Sequence, residues 1–284
     1  MIAMPKPASL PMLVPAIPPA PAQAQTPNER DYLSFSAIRT YQNCGLRYYF
    51  RYIAGLPEQT VSASLIFGSG IHRAIERHFQ EQLAGNPVPT LTELLAAYES
   101  EWTDRGEELR LFDQDERTTL TGTAERMLTA FQAHEMAKPA GRILAVEETL
   151  RGPVIPGLPD LLGRVDLIVE ERDALVIHDW KTSRSRWTTD QVEDAAEQLL
   201  LYAELASDFA PGKQVRLAFS VLTKTKTVSI DQHQLPVVRQ QADRMKRVVE
   251  RVWDAIEAQH FYPSPSPMGC AGCPFRGPCQ TWPG

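Results

Sequence analysis

Residues 161–181, which read LLGRVDLIVEERDALVIHDWK, decide the fold. Two apolar runs, 161–170 and 174–180, are separated by the charged residues 171–173, which is typical of two β-strands joined by a short turn. Residues 143–150 precede them with a comparable apolar pattern. The sequence therefore predicts three successive strands at the centre of the protein.

The alternation of side chains along these strands locates their polar groups. Successive side chains of a strand point to opposite faces. Asp166 is therefore predicted to point away from the face of Val165 and Leu167, and Asp179 and Lys181 are predicted to share one face because they are two residues apart. Neighbouring strands thus carry two carboxylates and one ammonium group.

Apolar residues recur at helical spacing on both sides of the predicted strands. A first helix is predicted to begin at Ser34 or Ser36, either of which could serve as its N-cap, and a second to open at residues 67–70. The other expected elements are helices over 189–207 and 237–258 and a hairpin of strands 215–222 and 227–230. Residues 90–140 carry no recognisable chemistry and are predicted to form a helical subdomain.

Composition excludes several classes of protein. The chain has 284 residues with 43% hydrophobic and 23% charged residues, the values of an ordinary globular protein. No apolar run is long enough to cross a membrane and residues 1–30 do not resemble a secretion signal, so we expect a cytoplasmic protein. The net charge of −6 argues against a simple cationic DNA-coating protein.

Two further segments are interpreted from composition. Residues 1–30 are rich in Pro and Ala and are predicted to be a disordered tail. The hairpin residues Lys224 and Lys226 are interpreted as part of a solvated surface.

Two helices add polar side chains at fixed positions. The predicted inward stripe of the helix that opens at 67–70 consists of His72, Ile75, Phe79 and Leu83. On the helix over 189–207, Gln198 and Tyr202 are four residues apart and therefore lie on one face.

These residues suit metal-dependent hydrolysis of a phosphodiester. Such a reaction needs a divalent cation to polarise the phosphate and activate water, and a group that stabilises the developing charge. Asp166, Asp179 and the backbone carbonyl of Trp180 could supply oxygen ligands to Mg²⁺ or Mn²⁺. Lys181 would face the water or the phosphate, and a nitrogen ligand from His72 would favour Mn²⁺.

The order of these motifs resembles the PD-(D/E)XK nuclease superfamily. Asp179-Trp-Lys181 follows Asp166 by 13 residues, and Gly68-Ser-Gly-Ile-His72 and Gln198-Leu-Leu-Leu-Tyr202 are similar to the motifs of its RecB-like branch. The resemblance covers residues 33–284. It implies an α/β fold with a mixed central sheet flanked by helices, as in restriction endonucleases. It also implies that the histidine and both aspartates bind metal, that the lysine is catalytic, and that Gln198 and Tyr202 position DNA.

Other carboxylates remain open as participants. The dipeptide Pro159–Asp160 also matches the Pro-Asp with which the PD-(D/E)XK motif begins. Asp166 is preferred because it lies within a predicted strand, whereas Asp160 follows a turn. Glu147 and Glu148 on the preceding strand are a further source of carboxylate, and one of them could orient a metal-bound water.

Four cysteines stand at the two ends of the predicted domain. Cys44 lies in the first helix, and Cys270, Cys273 and Cys279 lie within ten residues near the end. In a chain without a secretion signal this pattern favours metal binding over disulfides. Tetrathiolate coordination suits either Zn²⁺ or an iron–sulfur cluster.

The arrangement of one distant and three clustered cysteines resembles the iron–sulfur subset of RecB-like nucleases, which includes AddB and CRISPR-associated exonucleases. This resemblance implies a 4Fe-4S cluster that joins Cys44 to residues 262–284. Gly45 stands where that family usually has proline. The cluster would close a loop of more than 220 residues, and its role would therefore be structural.

The expected function is that of a metal-dependent DNA exonuclease acting on single-stranded ends, in DNA repair, phage or CRISPR adaptation. The chain has no Walker A motif and hence no motor of its own. Two alternatives stay open. The chain could be a nuclease module active only with a helicase or CRISPR integrase partner, or a non-catalytic iron–sulfur protein that binds DNA ends.

Overall fold

A computed structural model describes residues 31–58, 60–102, 117–206 and 209–283, together with the backbone of 108–110. The predicted disordered tail, residues 1–30, lies outside the described residues. No helix in these described ranges combines the length and apolar character needed to cross a membrane.

A six-stranded mixed sheet forms the centre of the described structure. Its strands are β1 (Tyr32–Ser34), β4 (Arg142–Gly152), β5 (Asp160–Glu170), β6 (Ala174–Ser183), β7 (Gln214–Thr223) and β8 (Ile230–Pro236). Strand β4 pairs with one edge of β5, and the order from the other edge continues β6, β7, β8. The β6–β7 and β1–β5 pairs are parallel and the remaining pairs are antiparallel. The predicted α/β class with a mixed sheet is confirmed.

Helices pack on both faces of this sheet. The helices of the described residues are α1 (Phe35–Asn43), α2 (Gly45–Tyr48), α3 (Ala63–Leu83), α4 (Leu91–Ser100), α5 (Arg117–Ala133), α6 (Thr189–Ala206), α7 (Arg239–Glu257), α8 (Pro267–Ala271) and α9 (Arg276–Gln280). A π-helical turn at Tyr49–Ile53 and a 3₁₀ turn at Glu135–Ala137 complete the helical elements, and the short strands β2 (Thr60–Ser62) and β3 (Glu108–Arg110) form a separate parallel pair.

Two hydrophobic cores cover the two faces of the sheet. In the first core, α1, α6 and α7 pack on residues such as Ile177 and Phe219. In the second core, α3, α4 and α5 pack on residues such as Trp180 and Leu222. Helices α4 and α5 of the predicted helical subdomain therefore share a core with the sheet. Helices α3 and α6 lie on opposite faces of the sheet, so the same strands receive side chains from both helices.

Local sequence signals located several elements correctly. Ser34, one of the two predicted N-caps, caps α1 and accepts a hydrogen bond from the Ala37 N–H. The three central strands, α6 and α7 lie where the periodicity placed them, within a few residues.

Other boundaries differ from the predictions. Helix α3 begins at Ala63, capped by Ser62, rather than at residues 67–70. Leu83 is 47% exposed because it ends α3 beyond the core, so its predicted inward orientation is wrong. The second hairpin strand begins at Ile230, where it had been predicted to end. The last residues include the short helices α8 and α9.

Strict alternation along β5 also fails at one point. Val165 packs in the first core and Leu167 in the second, so the two do not share one face. Glu147, which lies between the residues paired with them on β4, has a left-handed backbone with φ of 52°. Such a residue locally re-aims the side chains of an antiparallel pair.

Candidate metal centre and cysteine site

The candidate centre lies where β5 and β6 separate. Their ladder runs from Glu170↔Leu175 to Leu167↔His178 and stops there, just before Asp166 and Asp179. The backbone N–H of Trp180 donates instead to Asp166 Oδ2 at 2.7 Å. A carboxylate thus replaces the carbonyl partner that a continuing strand would supply, which satisfies the buried donor and leaves an opening between the strands.

Tyr202 fills the space beside this opening. Its side chain is only 4% exposed, and a Cβ placed on Gly163 would lie 2.3 Å from its ring. Position 163 therefore requires glycine because the ring contacts the β5 backbone. Burial raises the pKa of Tyr202 to about 12, although hydrogen bonds with the Gln198 side chain and the Phe35 backbone oppose that rise. The predicted Gln198–Tyr202 pair thus connects α6 to the start of α1.

Asp179 and Lys181 form a close ion pair on β6. The Lys181 Nζ lies 2.7 Å from Asp179 Oδ2, and Asp179 is 5% exposed. Burial by itself would lower the pKa of Lys181, but the charges of Asp179 and Asp166 outweigh it and the pKa is raised. Lys181 is therefore an ammonium ion at neutral pH.

Asp166 is the centre of a second group of ligand atoms. Its Oδ2 lies 3.4 Å from His72 Nδ1, and one ligand atom each from His72, Glu147 and Asp166 lie within 4.8 Å of one another. Burial, followed by the charge of Asp179, raises the pKa of Asp166 above its ordinary range. Two carboxylates and one imidazole fit a divalent cation such as Mg²⁺ or Mn²⁺.

Glu147 is the residue that sequence reasoning left undecided. It is opposite Asp166 across the β4–β5 pair and forms an ion pair with Arg164. Burial, together with the charge of Asp166, raises the pKa of Glu147 to about 7. Its neighbour Glu148 is exposed. Alternation places Glu147 and Glu148 on opposite faces of the strand but does not say which of them faces the site. The left-handed conformation of Glu147 is not visible in the sequence.

The predicted residues are thus brought together in two adjoining groups. His72 and Asp166 join Glu147, while the Asp179 carboxylate is paired with Lys181. Asp160, the alternative in the Pro159–Asp160 motif, lies outside the cleft, where it accepts a hydrogen bond from Arg151.

A cleft of about 570 Å³ opens onto this centre. The cleft is lined by the first turns of α3, the middle of β5, the end of β6 and the β7–β8 loop. It contains His72, Glu147, Asp166 and Lys181. Lys224 also lines it, so the interpretation of this lysine as solvated surface is wrong. The position of Lys224 depends on a contact between distant segments. Its N–H donates to Ser183 O at 2.7 Å and holds the loop against the end of β6.

The four cysteines converge at a separate site. None of the four forms a disulfide, and Cys44, Cys273 and Cys279 pack against a small apolar cluster. That cluster consists of Leu46, Phe50 and Phe275. Burial raises the pKa of the Cys279 thiol, and the nearby Cys44, Cys273 and Cys270 add to the rise. The structure therefore brings together the one distant and three clustered cysteines.

Backbone contacts hold the two ends of the chain together around these thiols. The Leu46 N–H donates to Tyr262 O at 2.9 Å, and the Ser264 N–H points to Cys44 Sγ at 3.4 Å. The Ser266 N–H lies 3.4 Å from Cys270 Sγ. The Ser264 contact therefore joins the C-terminal residues to Cys44.

The spacing of the sulfurs bears on what they could hold. In the described part of the chain, which includes all four cysteines, no three sulfurs lie within 4.8 Å of one another. A single tetrahedral Zn²⁺ with Zn–S bonds of about 2.3 Å would bring them to roughly 3.8 Å. In every set of three sulfurs, at least one pair is therefore farther apart than the ligands of a single Zn²⁺ would be.

Comparison with known proteins identifies the family to which the fold corresponds. Residues 32–280 match the profile of the PD-(D/E)XK nuclease superfamily. No curated protein matches the chain. A crystal structure from Eubacterium rectale, named as a candidate exonuclease, superimposes with a TM-score of 0.55 at 15% identity, covering 88% of this chain and 87% of that one. That similarity shows a common fold.

Two other solved structures align more weakly. The protein SSO0001 aligns with a TM-score of 0.35 at 13% identity, over 84% of this chain and 92% of that one. The Scheffersomyces stipitis protein Rai1 aligns with a TM-score of 0.28 at 9% identity, over 81% and 68%.

Proposed function

Because the chain belongs to the PD-(D/E)XK nuclease superfamily, we propose that it is a divalent-metal-dependent deoxyribonuclease whose active site is the cleft at the β5–β6 opening. One observation carries this proposal. His72, Glu147 and Asp166 converge within 4.8 Å of one another, in a cleft that Lys181 also lines. Acidic groups gathered where a phosphate must enter suit a bound cation, and a pure DNA binder would have no need of them.

We assign the metal ligands as His72, Asp166 and Glu147. The Trp180 carbonyl is a further candidate, because the N–H and C=O of one strand residue point to the same edge and this N–H points to Asp166. A bound Mg²⁺ or Mn²⁺ would polarise the scissile phosphate and lower the pKa of a bound water. Asp179, whose charge acts on Asp166, is proposed as a further oxygen ligand.

Lys181 is proposed as the catalytic lysine. Its ammonium is held by Asp179 and lines the cleft, where it would stabilise negative charge that develops on the phosphate. Gln198 and Tyr202 are proposed to act on DNA indirectly. The buried Tyr202 ring supports the β5 backbone near Asp166, whereas Gln198 is only half-buried.

We further propose that the enzyme degrades single-stranded DNA from an end. The name of the Eubacterium rectale relative supports an exonuclease, and helices α3 and α4 beside the cleft could restrict entry to a free strand. Action together with a helicase or a CRISPR adaptation partner is the alternative mode.

For the cysteines we propose a 4Fe-4S cluster, with Zn²⁺ as the alternative occupant. The open spacing of the sulfurs and the N–H groups directed at Cys44 and Cys270 support the cluster. Its role would be to join α1 to the C-terminal residues. Iron, sulfide and zinc content of anaerobically purified protein decides between the two occupants.

The primary test is degradation of end-labelled single-stranded DNA with Mg²⁺ or Mn²⁺, comparing wild type with Lys181→Ala. We expect loss of label with the wild type alone, and the end that empties first gives the polarity. Linear DNA should be degraded and covalently closed circles spared. Equal activity of both proteins would refute the role of Lys181, and equal inactivity with intact DNA binding would favour an obligate partner.

A further inference from the structure

A row of arginines lines a groove along the outer side of α7. Arg244, Arg247 and Arg251 are exposed, and they share one edge of the helix because they are three and four residues apart. Together with Tyr41 of α1 and two valines of α7 they line an open groove of about 390 Å³. No acidic residue of the described part of the chain lines this groove. The groove therefore combines three positive charges with one aromatic side chain.

Helix α7 separates its charges into two edges. Its acidic residues recur at steps of seven, four and three and so lie on a different edge from the arginines. They are Asp243, Glu250, Asp254 and Glu257. Arg251 pairs with Asp254 at 3.1 Å, but both side chains are largely exposed and water screens the pair. Among the residues that the structure describes, neither Arg244 nor Arg247 takes part in an ion pair.

Tyr41 is held in a fixed position at the side of the groove. Its hydroxyl donates a hydrogen bond to His260 O at 2.6 Å. Its ring meets the rings of Tyr48 and Phe261 edge-on, with centroids 5.6 and 6.3 Å apart. Tyr41 is nevertheless only half-buried, so part of the ring is accessible from the groove. An aromatic ring that is already fixed loses little entropy when a nucleotide base stacks on it.

The spacing of the arginines suits the backbone of a nucleic acid. The seven residues from Arg244 to Arg251 extend about 10 Å along the helix at about 1.5 Å per residue. Three phosphates of one strand, at about 3.4 Å each, occupy a comparable length. Each guanidinium can donate two parallel hydrogen bonds to a phosphate.

The groove has a defined limit at one end. Arg244 also borders a neighbouring pocket between α1, α6 and α7. The lining of that pocket includes the carboxylates of Glu193, Asp194 and Glu197. Because these charges repel phosphate, a bound strand would run from Arg244 towards Arg251 and not into the acidic pocket.

We propose that this groove is a second binding site for single-stranded DNA, in which the three arginines bind phosphates and Tyr41 stacks with a base. A basic groove with an aromatic side chain is the combination that binds single strands without reading their sequence. The groove lies between α1 and α7, whereas the first turns of α3, on the other face of the sheet, line the cleft. It would therefore hold a part of the strand away from the scissile phosphate. The choice of DNA as the ligand rests on the proposed nuclease function.

The test uses the double variant Arg244→Gln/Arg247→Gln. Arg172→Gln/Arg239→Gln is the matched control, because it removes two exposed positive charges that line neither the groove nor the cleft. Binding of a fluorescent single-stranded oligonucleotide is measured by anisotropy in EDTA at several salt concentrations. The groove variant should bind at least about fourfold more weakly, at about two- to fivefold per contact. The slope of log K against log salt should fall by about 1.4, at about 0.7 per phosphate.

Photo-crosslinking tests whether DNA lies in the groove itself. An oligonucleotide that carries 5-bromodeoxyuridine is irradiated with the protein, and mass spectrometry of the digest locates the crosslinked peptide. We expect a crosslink to Tyr41 in the wild type and in the control, and its loss in the groove variant. Thermal melting should coincide for all three proteins, because the substituted side chains are exposed.

Cleavage of a short and a long strand supplies a kinetic measurement. A strand of about ten nucleotides has the size of one binding site, whereas a strand several times longer can reach both the cleft and the groove. The groove variant should raise KM about fourfold or more for the long strand alone. Both kcat values should stay the same, because a distant contact is made equally in the ground and transition states. Equal effects on the two strands would contradict a site away from the cleft.

The outcomes separate this inference from the proposed function. If the wild type cleaves DNA and the groove variant matches its control in affinity, salt slope and crosslinking, the second site is refuted and the nuclease stands. The basic groove would then suit an acidic protein segment instead. If the wild type cleaves no DNA under any metal condition, but its binding and its Tyr41 crosslink depend on Arg244 and Arg247, the hydrolytic function fails and the second site stands.

Discussion

Glu147 on β4 stands opposite Asp166 on β5, and it is held there in a left-handed backbone conformation with φ of 52°. Residues other than glycine pay about 1–3 kcal/mol to adopt such a conformation, and they are concentrated at functional sites. This position brings its carboxylate within 4.8 Å of ligand atoms of His72 and Asp166. The strain and the shared site support the proposed role of Glu147 as a metal ligand.

Replacement of Glu147 by Gln should weaken Mn²⁺ binding at least about tenfold, because the site loses one of two charged oxygen ligands. Isothermal titration calorimetry or Mn²⁺ electron paramagnetic resonance would measure the change. Glu148→Gln is the matched control, since Glu148 is exposed on the same strand. Unchanged affinity in Glu147→Gln would show that Asp179 completes the ligand set instead.

The raised pKa of Glu147 predicts how the stability of the metal-free protein depends on pH. The pKa is about 7 in the folded state against 4.5 for the ordinary group, so the folded protein binds more protons between these values and its stability falls as pH rises. The loss between pH 5 and pH 8 should approach about 3 kcal/mol for this group.

Urea unfolding in EDTA at a series of pH values measures this dependence. Glu147→Gln should flatten it, and Mn²⁺ should reverse it by favouring the ionised form. A pH profile identical in wild type and variant would contradict the assignment of the raised pKa to Glu147.

Asp166 and Asp160 offer a direct comparison of the two possible aspartates of the motif. Asp166→Asn should abolish hydrolysis and metal binding, because Asp166 contacts both His72 and the Trp180 N–H. Asp160→Asn should keep activity near the wild-type level, since Asp160 pairs with Arg151 outside the cleft. Metal-dependent cleavage assays decide which aspartate belongs to the motif. If Asp160→Asn is inactive and Asp166→Asn is active, the assignment is reversed.

Gly163→Ala should destabilise the protein by about 1–3 kcal/mol, because the new methyl group would lie 2.3 Å from the buried Tyr202 ring. Chemical denaturation gives the free energy of unfolding. Gly277→Ala is the control, since a Cβ there has no heavy atom within 4 Å among the described residues. Nuclease activity should fall together with stability if the Tyr202 contact supports the β5 backbone at Asp166, and remain unchanged if it does not.

Cys44→Ser should remove one of the four proposed cluster ligands and release the C-terminal residues from α2. We expect loss of iron and sulfide from the purified protein. We also expect a protease to cleave within residues 262–284 faster in the variant than in the wild type. Mass spectrometry of limited digests locates the cut. Retention of a full metal complement by Cys44→Ser would show that the distant cysteine is not a ligand.

Features that depend on neighbouring residues in the chain could be predicted from the sequence. The Ser34 cap, the strands around Asp166 and Lys181, and the common face of Gln198 and Tyr202 all follow from periodicity over a few residues. The motif order around these elements also led to the nuclease superfamily, which the match over residues 32–280 shows. These signals are local, so they can be recognised without knowing what each element packs against.

Contacts between distant segments needed the tertiary structure. The choice of Glu147 over Glu148 depends on its register with β5 and its left-handed backbone, and the place of Lys224 in the cleft depends on a hydrogen bond to Ser183. Beside the opening between β5 and β6, the Tyr202 ring from α6 lies against Gly163, a contact between residues 39 positions apart. Residue types and their order therefore determined the reaction class and most of its chemical groups. Packing between layers decided which of those groups meet, because a side chain's partner across a sheet is set by register and not by its neighbours in the chain.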